Sequence, residues 1–139
     1  MKVLVDTSVW SLALRRSKSE NGPEAAELAA LVDEGRVVMI GAIRQELLSG
    51  IRVASAFQRL RDQLRAFPDL PLIAGDHEEA ADCFNRCRTR GIQGSNTDFL
   101  ICALSLRHRV AVFTTDKDFE RYARVLPFKL HAVRSDERA

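Results

Sequence analysis

Four acidic residues stand at places where a folded chain delivers side chains for chemistry. Asp6 closes the apolar run Val3-Leu4-Val5, and Asp116 follows Val110-Ala111-Val112-Phe113 after two threonines. Glu46 lies within an amphipathic stretch behind Val37-Val38-Met39-Ile40, and Asp98 opens the apolar stretch 99–106. Gathered in one crevice, four carboxylates repel one another unless something neutralises them. A hard divalent cation does so: magnesium prefers oxygen ligands, retains several waters, and is typically held by one or two carboxylates together with a substrate phosphate. Such an ion readies water to attack phosphorus and stabilises the departing oxygen, and two ions share those roles when about 3.5–4 Å apart. The sequence offers no Ser-His or Cys-His arrangement for a covalent route, which favours metal-activated water. Taken singly, each acid has a plainer reading. Asp6 caps a helix, Asp98 sits at the positive end of a helix dipole, Thr115 and Asp118 have capping-box spacing, and Glu46 is a solvated residue beside an apolar stripe.

The elements that must position these acids alternate between strand and helix. Residues 3–5, 37–40, 110–113, a short run at 70–74 and a final run at 128–133 read as strands. Between them, helices are expected over 24–34, ended by Gly35, over 41–51 and 54–66, over 76–90, ended by Gly91, over 98–106, and, after a turn at 114–119, through about 124. The polar link 91–97 precedes Asp98, and 135–139 forms a polar tail. The 99–106 helix is apolar on nearly every side, so it belongs in the centre of the domain. Strand-helix alternation implies a mostly parallel sheet covered on both faces, because parallel neighbours need crossover connections. Ligands in such α/β folds bind beyond the carboxyl ends of the strands, where strand order reverses. All four acids are expected to converge there.

A chain of 139 residues fits one domain, 1–139, with a single site. With 46% hydrophobic and 29% charged residues it reads as an ordinary globular protein. A net charge of +2 does not by itself announce a nucleic-acid binder. The basic residues are mostly arginines, with lysine only at positions 2, 18, 117 and 129. Arginine's planar fork suits phosphate, although codon usage explains the same bias. The amino terminus reaches Lys2 and Asp6 before any apolar leader forms, and no stretch has the length to span a bilayer, so a cytoplasmic, membrane-free protein is expected. Cys83, Cys87 and Cys102 lack zinc-site spacing and read as reduced packing residues.

Four segments in order, Val3-Leu4-Val5-Asp6-Thr7-Ser8, Glu46 within Ile43-Arg44-Gln45-Glu46-Leu47-Leu48-Ser49-Gly50, Asp98 before Phe99-Leu100-Ile101-Cys102-Ala103, and Phe113-Thr114-Thr115-Asp116-Lys117-Asp118-Phe119, together resemble a PIN-domain nuclease of the VapC toxin type. The resemblance spans nearly the whole chain. It implies a three-layer α/β/α domain in which Asp6, Glu46, Asp98 and Asp116 hold magnesium or manganese, with Asp118 as an outer participant and Thr7 and Thr114 as hydroxyl positions beside the acids. It further implies an endoribonuclease acting on tRNA or ribosomal RNA, inhibited by a cognate antitoxin, and commonly a homodimer. Ser95-Asn96-Thr97 before Asp98 is the one small departure from the pattern.

Outside the acids, Arg15, Arg16 and Lys18, and also Arg86, Arg88 and Arg90, are candidates for RNA phosphates, though a solvated surface is the commoner role of such runs. Trp10 and Phe57 are candidates for stacking, with packing the plainer reading. His77, His108 and His131 share no ligand spacing. The rival from another class is a magnesium-binding phosphoacceptor domain of the receiver kind. It would need an acidic pair after the first strand and an acceptor Asp at a middle strand, whereas Asp6 stands alone and the 70–74 run leads only to Gly75-Asp76. A non-catalytic nucleotide-binding module is the second rival, and neither a Walker loop nor the dinucleotide glycine fingerprint is present.

Overall fold

The computed structural model describes residues 1–14 and 22–134. Arg15, Arg16, Lys18 and the 135–139 tail lie outside the described residues. Three parallel strands, β1 (Val3–Val5), β2 (Val37–Val38) and β3 (Ala111–Phe113), form a sheet in the order β2-β1-β3. Val3 pairs with Val37 on one side and Ala111 on the other, and Val5 faces Phe113. Every residue of β1 and β3 is buried, the near-continuous apolar pattern of strands covered on both faces. The connection from β1 runs outward to β2, and the chain then crosses to β3 on the far side of β1. The order therefore reverses at β1, and the crevice expected of such a switch opens at its carboxyl end.

Helices α1 (Thr7–Leu14), α2 (Gly22–Asp33), α3 (Gly41–Leu48) and α4 (Ala54–Leu64) pack in series, α1 against both α2 and α3, and α3 against α4. α5 (Ala74–Thr89) lies along α6 (Asn96–His108), and α7 (Asp118–Tyr122) follows β3. The arrangement is the expected α/β/α domain. As its composition requires, α6 is buried continuously from Phe99 to Ser105. It starts at Asn96, not Asp98, because Ser95 caps it by accepting the Asp98 N–H. Thus Asn96 and Thr97, read as link, are helical. Gly35 and Gly91 stop α2 and α5 with φ of 68° and 78°, a region open to glycine. α6 ends without glycine, on Arg109 at φ 55°.

Two expected strands are not formed as such. In place of a 70–74 strand there is a single parallel bridge just before it, Met39 to Asp69, with Leu70 N–H donating to Met39 O at 2.8 Å. The partner strand stops there, because α3 begins at Gly41. The next residues are instead drawn into α5, where the Asp76 carboxylate accepts the Ile73 N–H. The 128–133 run gives one parallel bridge, Val112 to Leu130. Beyond it the chain leaves the sheet so that His131 and Arg134 reach the buried Glu27 on α2, at 2.6 and 2.8 Å. The helix read over 41–51 ends at Leu48, where the Ser49 hydroxyl bonds back to Gln45 O and Gly50 adopts φ 88°.

The three cysteines are buried and free, as expected. Trp10 is buried and packs edge-on against Phe67, 5.2 Å between ring centres, which makes it a core residue and not a stacking surface. His131, given no role from the sequence, is a structural partner of Glu27.

Candidate active site

Asp6 emerges from the central strand at the switch point. Because Val5 faces Phe113 in register, the next residues of β1 and β3, Asp6 and Thr114, meet at the sheet's edge. Asp6 Oδ2 accepts hydrogen bonds from Thr114 Oγ1 at 2.8 Å and from Ser8 Oγ at 3.0 Å. The same two hydroxyls receive the loop that carries Asp116: Thr115 N–H donates to Ser8 Oγ at 3.1 Å and Asp116 N–H to Thr114 Oγ1 at 3.0 Å. Four residues that follow two strand ends, Ser8, Thr114, Thr115 and Asp116, are thereby laced around one carboxylate.

Asp6 is only 8% exposed. Burial raises its pKa above the ordinary carboxylate value, hydrogen bonds from Thr114, Ser8 and the Thr7 backbone oppose that rise, and repulsion from Glu46 adds to it. Glu46 projects from the exposed side of α3, and Thr7 Oγ1 donates to its Oε1 at 2.5 Å. The hydroxyl beside Asp6 therefore reaches an acid 39 residues away.

Asp98 stands in the first turn of α6, where the helix dipole favours negative charge. Burial nevertheless raises its pKa. Hydrogen bonds from Tyr122 and Ser95 hold it down, and the charges of Asp6 and Asp116 push it further up. Tyr122 OH donates to Asp98 Oδ2 at 2.6 Å. Asp116 is exposed, and its Oδ1 accepts the Asp118 N–H at 2.9 Å.

The fold thus brings Asp6, Glu46, Asp98 and Asp116 to one end of the sheet, linked through Thr7, Ser8, Thr114 and their mutual repulsion. Asp118 stands at the margin of this group: its carboxylate lies 3.6 Å from Arg121, and its backbone N–H donates to Asp116. Arg86 pairs with Asp82 at 3.7 Å. Among the described residues no three His, Cys, Asp or Glu side chains form a ready-made metal cage. A cavity of about 470 Å³ between α5 and α6, lined by His77, Phe84, Asn85 and Asn96 among others, contains none of the four acids.

The donor set fits a hard cation on its chemistry. It is all oxygen, and it holds two acids whose ionised forms are disfavoured by their surroundings, so a positive charge placed among them relieves both burial and repulsion. Sequence reasoning missed Ser8 as an Asp6 partner. It also missed Tyr122, the only tyrosine in the chain, for which no local pattern gives a signal.

An α/β/α domain with carboxylates gathered beyond a central parallel strand defines the class of protein. The chain belongs to the PIN-domain family, whose pattern matches residues 3–125. It is 30% identical over 125 residues to VapC ribonuclease Mb1587 of Mycobacterium bovis and to ribonuclease VapC11 of Mycobacterium tuberculosis, alignments that cover 88% of this chain and 92% of each relative. Among solved structures it resembles FitAcB of Neisseria gonorrhoeae, with TM-score 0.74 and 22% identity over 94% of this chain and 96% of the other. It also resembles VapBC2 of Rickettsia felis bound to a promoter DNA fragment, with TM-score 0.74 and 15% identity over 94% and 98%. These two likenesses establish the fold. The receiver-like rival is not favoured, since the middle strand it requires at 70–74 is absent among the described residues. No helix among the described residues is long and apolar enough to cross a membrane.

Proposed function

We propose that this chain is an endoribonuclease of the VapC kind, the toxin of a toxin–antitoxin pair, and that Asp6, Glu46, Asp98 and Asp116 are its metal-binding and catalytic residues. The observation that carries the reading is the hydroxyl network that ties Asp6 to the Asp116 loop at the switch point, with Glu46 and Asp98 in electrostatic reach of it. The names of the mycobacterial relatives support ribonuclease activity, and those of the structural neighbours support assembly with an antitoxin. A divalent ion, magnesium or manganese, supplies Lewis acidity toward water and phosphate when bound.

The chain's own residues do the rest. Asp6, buried and fixed by two hydroxyls, is the rigid centre of the acid cluster. Asp98 presents its charge from the end of the central helix. Glu46 and Asp116, both exposed, are the acids that an incoming phosphodiester meets first. Thr7 and Thr114 hold Glu46 and Asp6 in place through their hydroxyls. The substrate class is structured RNA such as tRNA or ribosomal RNA, the inhibitory partner is the cognate antitoxin, and the working form is a homodimer in the cytoplasm.

Induced expression tests the reading. The parent chain should arrest growth and yield cellular RNA with new 5′ ends at a small set of sites, and co-expression of the protein encoded beside it should abolish both. Arrest without new RNA ends contradicts it.

A further inference from the structure

We propose that Tyr122 is the positioning residue for Asp98 in divalent-cation binding, and that Gly94 leaves open the space in which the Tyr122 hydroxyl lies. The inference rests on the reading of Asp98 as a metal ligand.

An aspartate carboxylate rotates broadly about its last torsion, so the direction of its oxygens is set by whatever bonds to them. Here that partner is a phenol with no freedom of its own. Tyr122 is fully buried, held edge-on by Phe119 at 5.1 Å and against Phe99 at 4.8 Å between ring centres. Phe99 is the residue after Asp98 on α6, so ring packing and the 2.6 Å bond to Asp98 Oδ2 tie α7 to the same turn twice. Gly94 supplies an independent observation. A Cβ built on it would lie 2.2 Å from the Tyr122 hydroxyl oxygen, 2.7 Å from the ring carbon that bears it, and 3.0 Å from Phe99. The φ of Gly94 is not in the left-handed region, so the need for glycine there is one of space. Two residues 28 positions apart in the sequence thus serve the placement of one hydroxyl on one carboxylate oxygen. Partners that orient a metal-binding carboxylate typically change affinity 10- to 100-fold when removed.

The test is manganese binding to the full chain, read from the electron paramagnetic resonance of free Mn²⁺, with circular dichroism as the check on folding. The parent should bind Mn²⁺, Asp98→Asn should lose that binding, and Tyr122→Phe should weaken it by about tenfold or more. Gly94→Ala displaces the hydroxyl while retaining the tyrosine, and should weaken binding to a similar degree. It decides the matter if Tyr122→Phe does not fold. Phe128→Leu removes a ring that packs on Phe119 at 6.5 Å without touching the hydroxyl, and should leave affinity unchanged. Unchanged affinity in folded Tyr122→Phe or Gly94→Ala, with Asp98→Asn still defective, overturns the positioning role alone. An equal loss in Phe128→Leu assigns the effect to packing and likewise overturns it. A parent chain that binds no Mn²⁺, or an Asp98→Asn variant that binds as well as the parent, brings down the metal reading and this inference with it.

Discussion

Asp6 and Asp98 carry charge that their surroundings resist, and that resistance has a measurable sign. Both have pKa values raised chiefly by burial. For a raised carboxylate the penalty on the folded state is absent below the unfolded value, near 3.8, and complete once pH has risen through the folded value. In chelator at pH 7, Asp6→Asn and Asp98→Asn should therefore melt above the parent, with the gap closing as pH falls toward 3.8. Thermal denaturation across pH checks this, and a lower melting temperature for both variants would show that their hydrogen bonds outweigh the charge penalty. On the proposed reading of both acids as metal ligands, the same variants should lose cleavage by on the order of a hundredfold or more, since a catalytic ion is worth several kcal/mol to the transition state. At this scale the sequence was legible in part. The four acids stood out because each ends a strand or begins or follows a helix boundary, and their order carried the family. Ser8, Tyr122 and Gly94 did not stand out. Ser8 bonds Asp6 two positions away but is held there by Thr114, 106 positions on, and Tyr122 and Gly94 act through contacts across 24 and 28 positions, which no local pattern encodes.

Among the elements, α6 matters most, because its first turn carries Asp98 while the seven residues after it fill the core. Ser95 starts that turn, and Ser95→Ala should lower stability by about 1 kcal/mol in urea denaturation, with Ser95→Asp closer to the parent. α6 is fastened to α5 through Arg107, whose guanidinium bonds both oxygens of the buried Asp76 carboxylate. That arginine holds the Asp76 pKa below the ordinary range, against the cost of burial. The stability the pair contributes is present above 3.8 and lost as pH falls through the lowered folded value. Asp76→Asn should accordingly destabilise at neutral pH and lose its difference from the parent in strong acid; a constant difference at every pH would contradict the assignment. Most helices were legible from apolar spacing and from Gly35 and Gly91. The runs at 70–74 and 128–133 were over-read because strand propensity is blind to where hydrogen-bonding partners lie. The start of α3 at Gly41 ends one ladder, and Glu27, over a hundred residues upstream, draws the other away from the sheet.

For the whole molecule, the alternation of strand and helix set the parallel sheet, and the reversal of strand order at β1 set the place of the site. A domain built this way gathers its acids beyond the end of the central strand, with Asp6 buried and Glu46 and Asp116 exposed. The account stands on divalent-metal dependence of RNA cleavage by the purified chain. Parent protein, Asp6→Asn and Asp98→Asn, prepared identically, should be incubated with total RNA in magnesium, in manganese and in excess chelator. The parent should cut only where a divalent ion is present, and the variants should cut in neither ion. Equal cutting in chelator, or by the variants, would contradict the account.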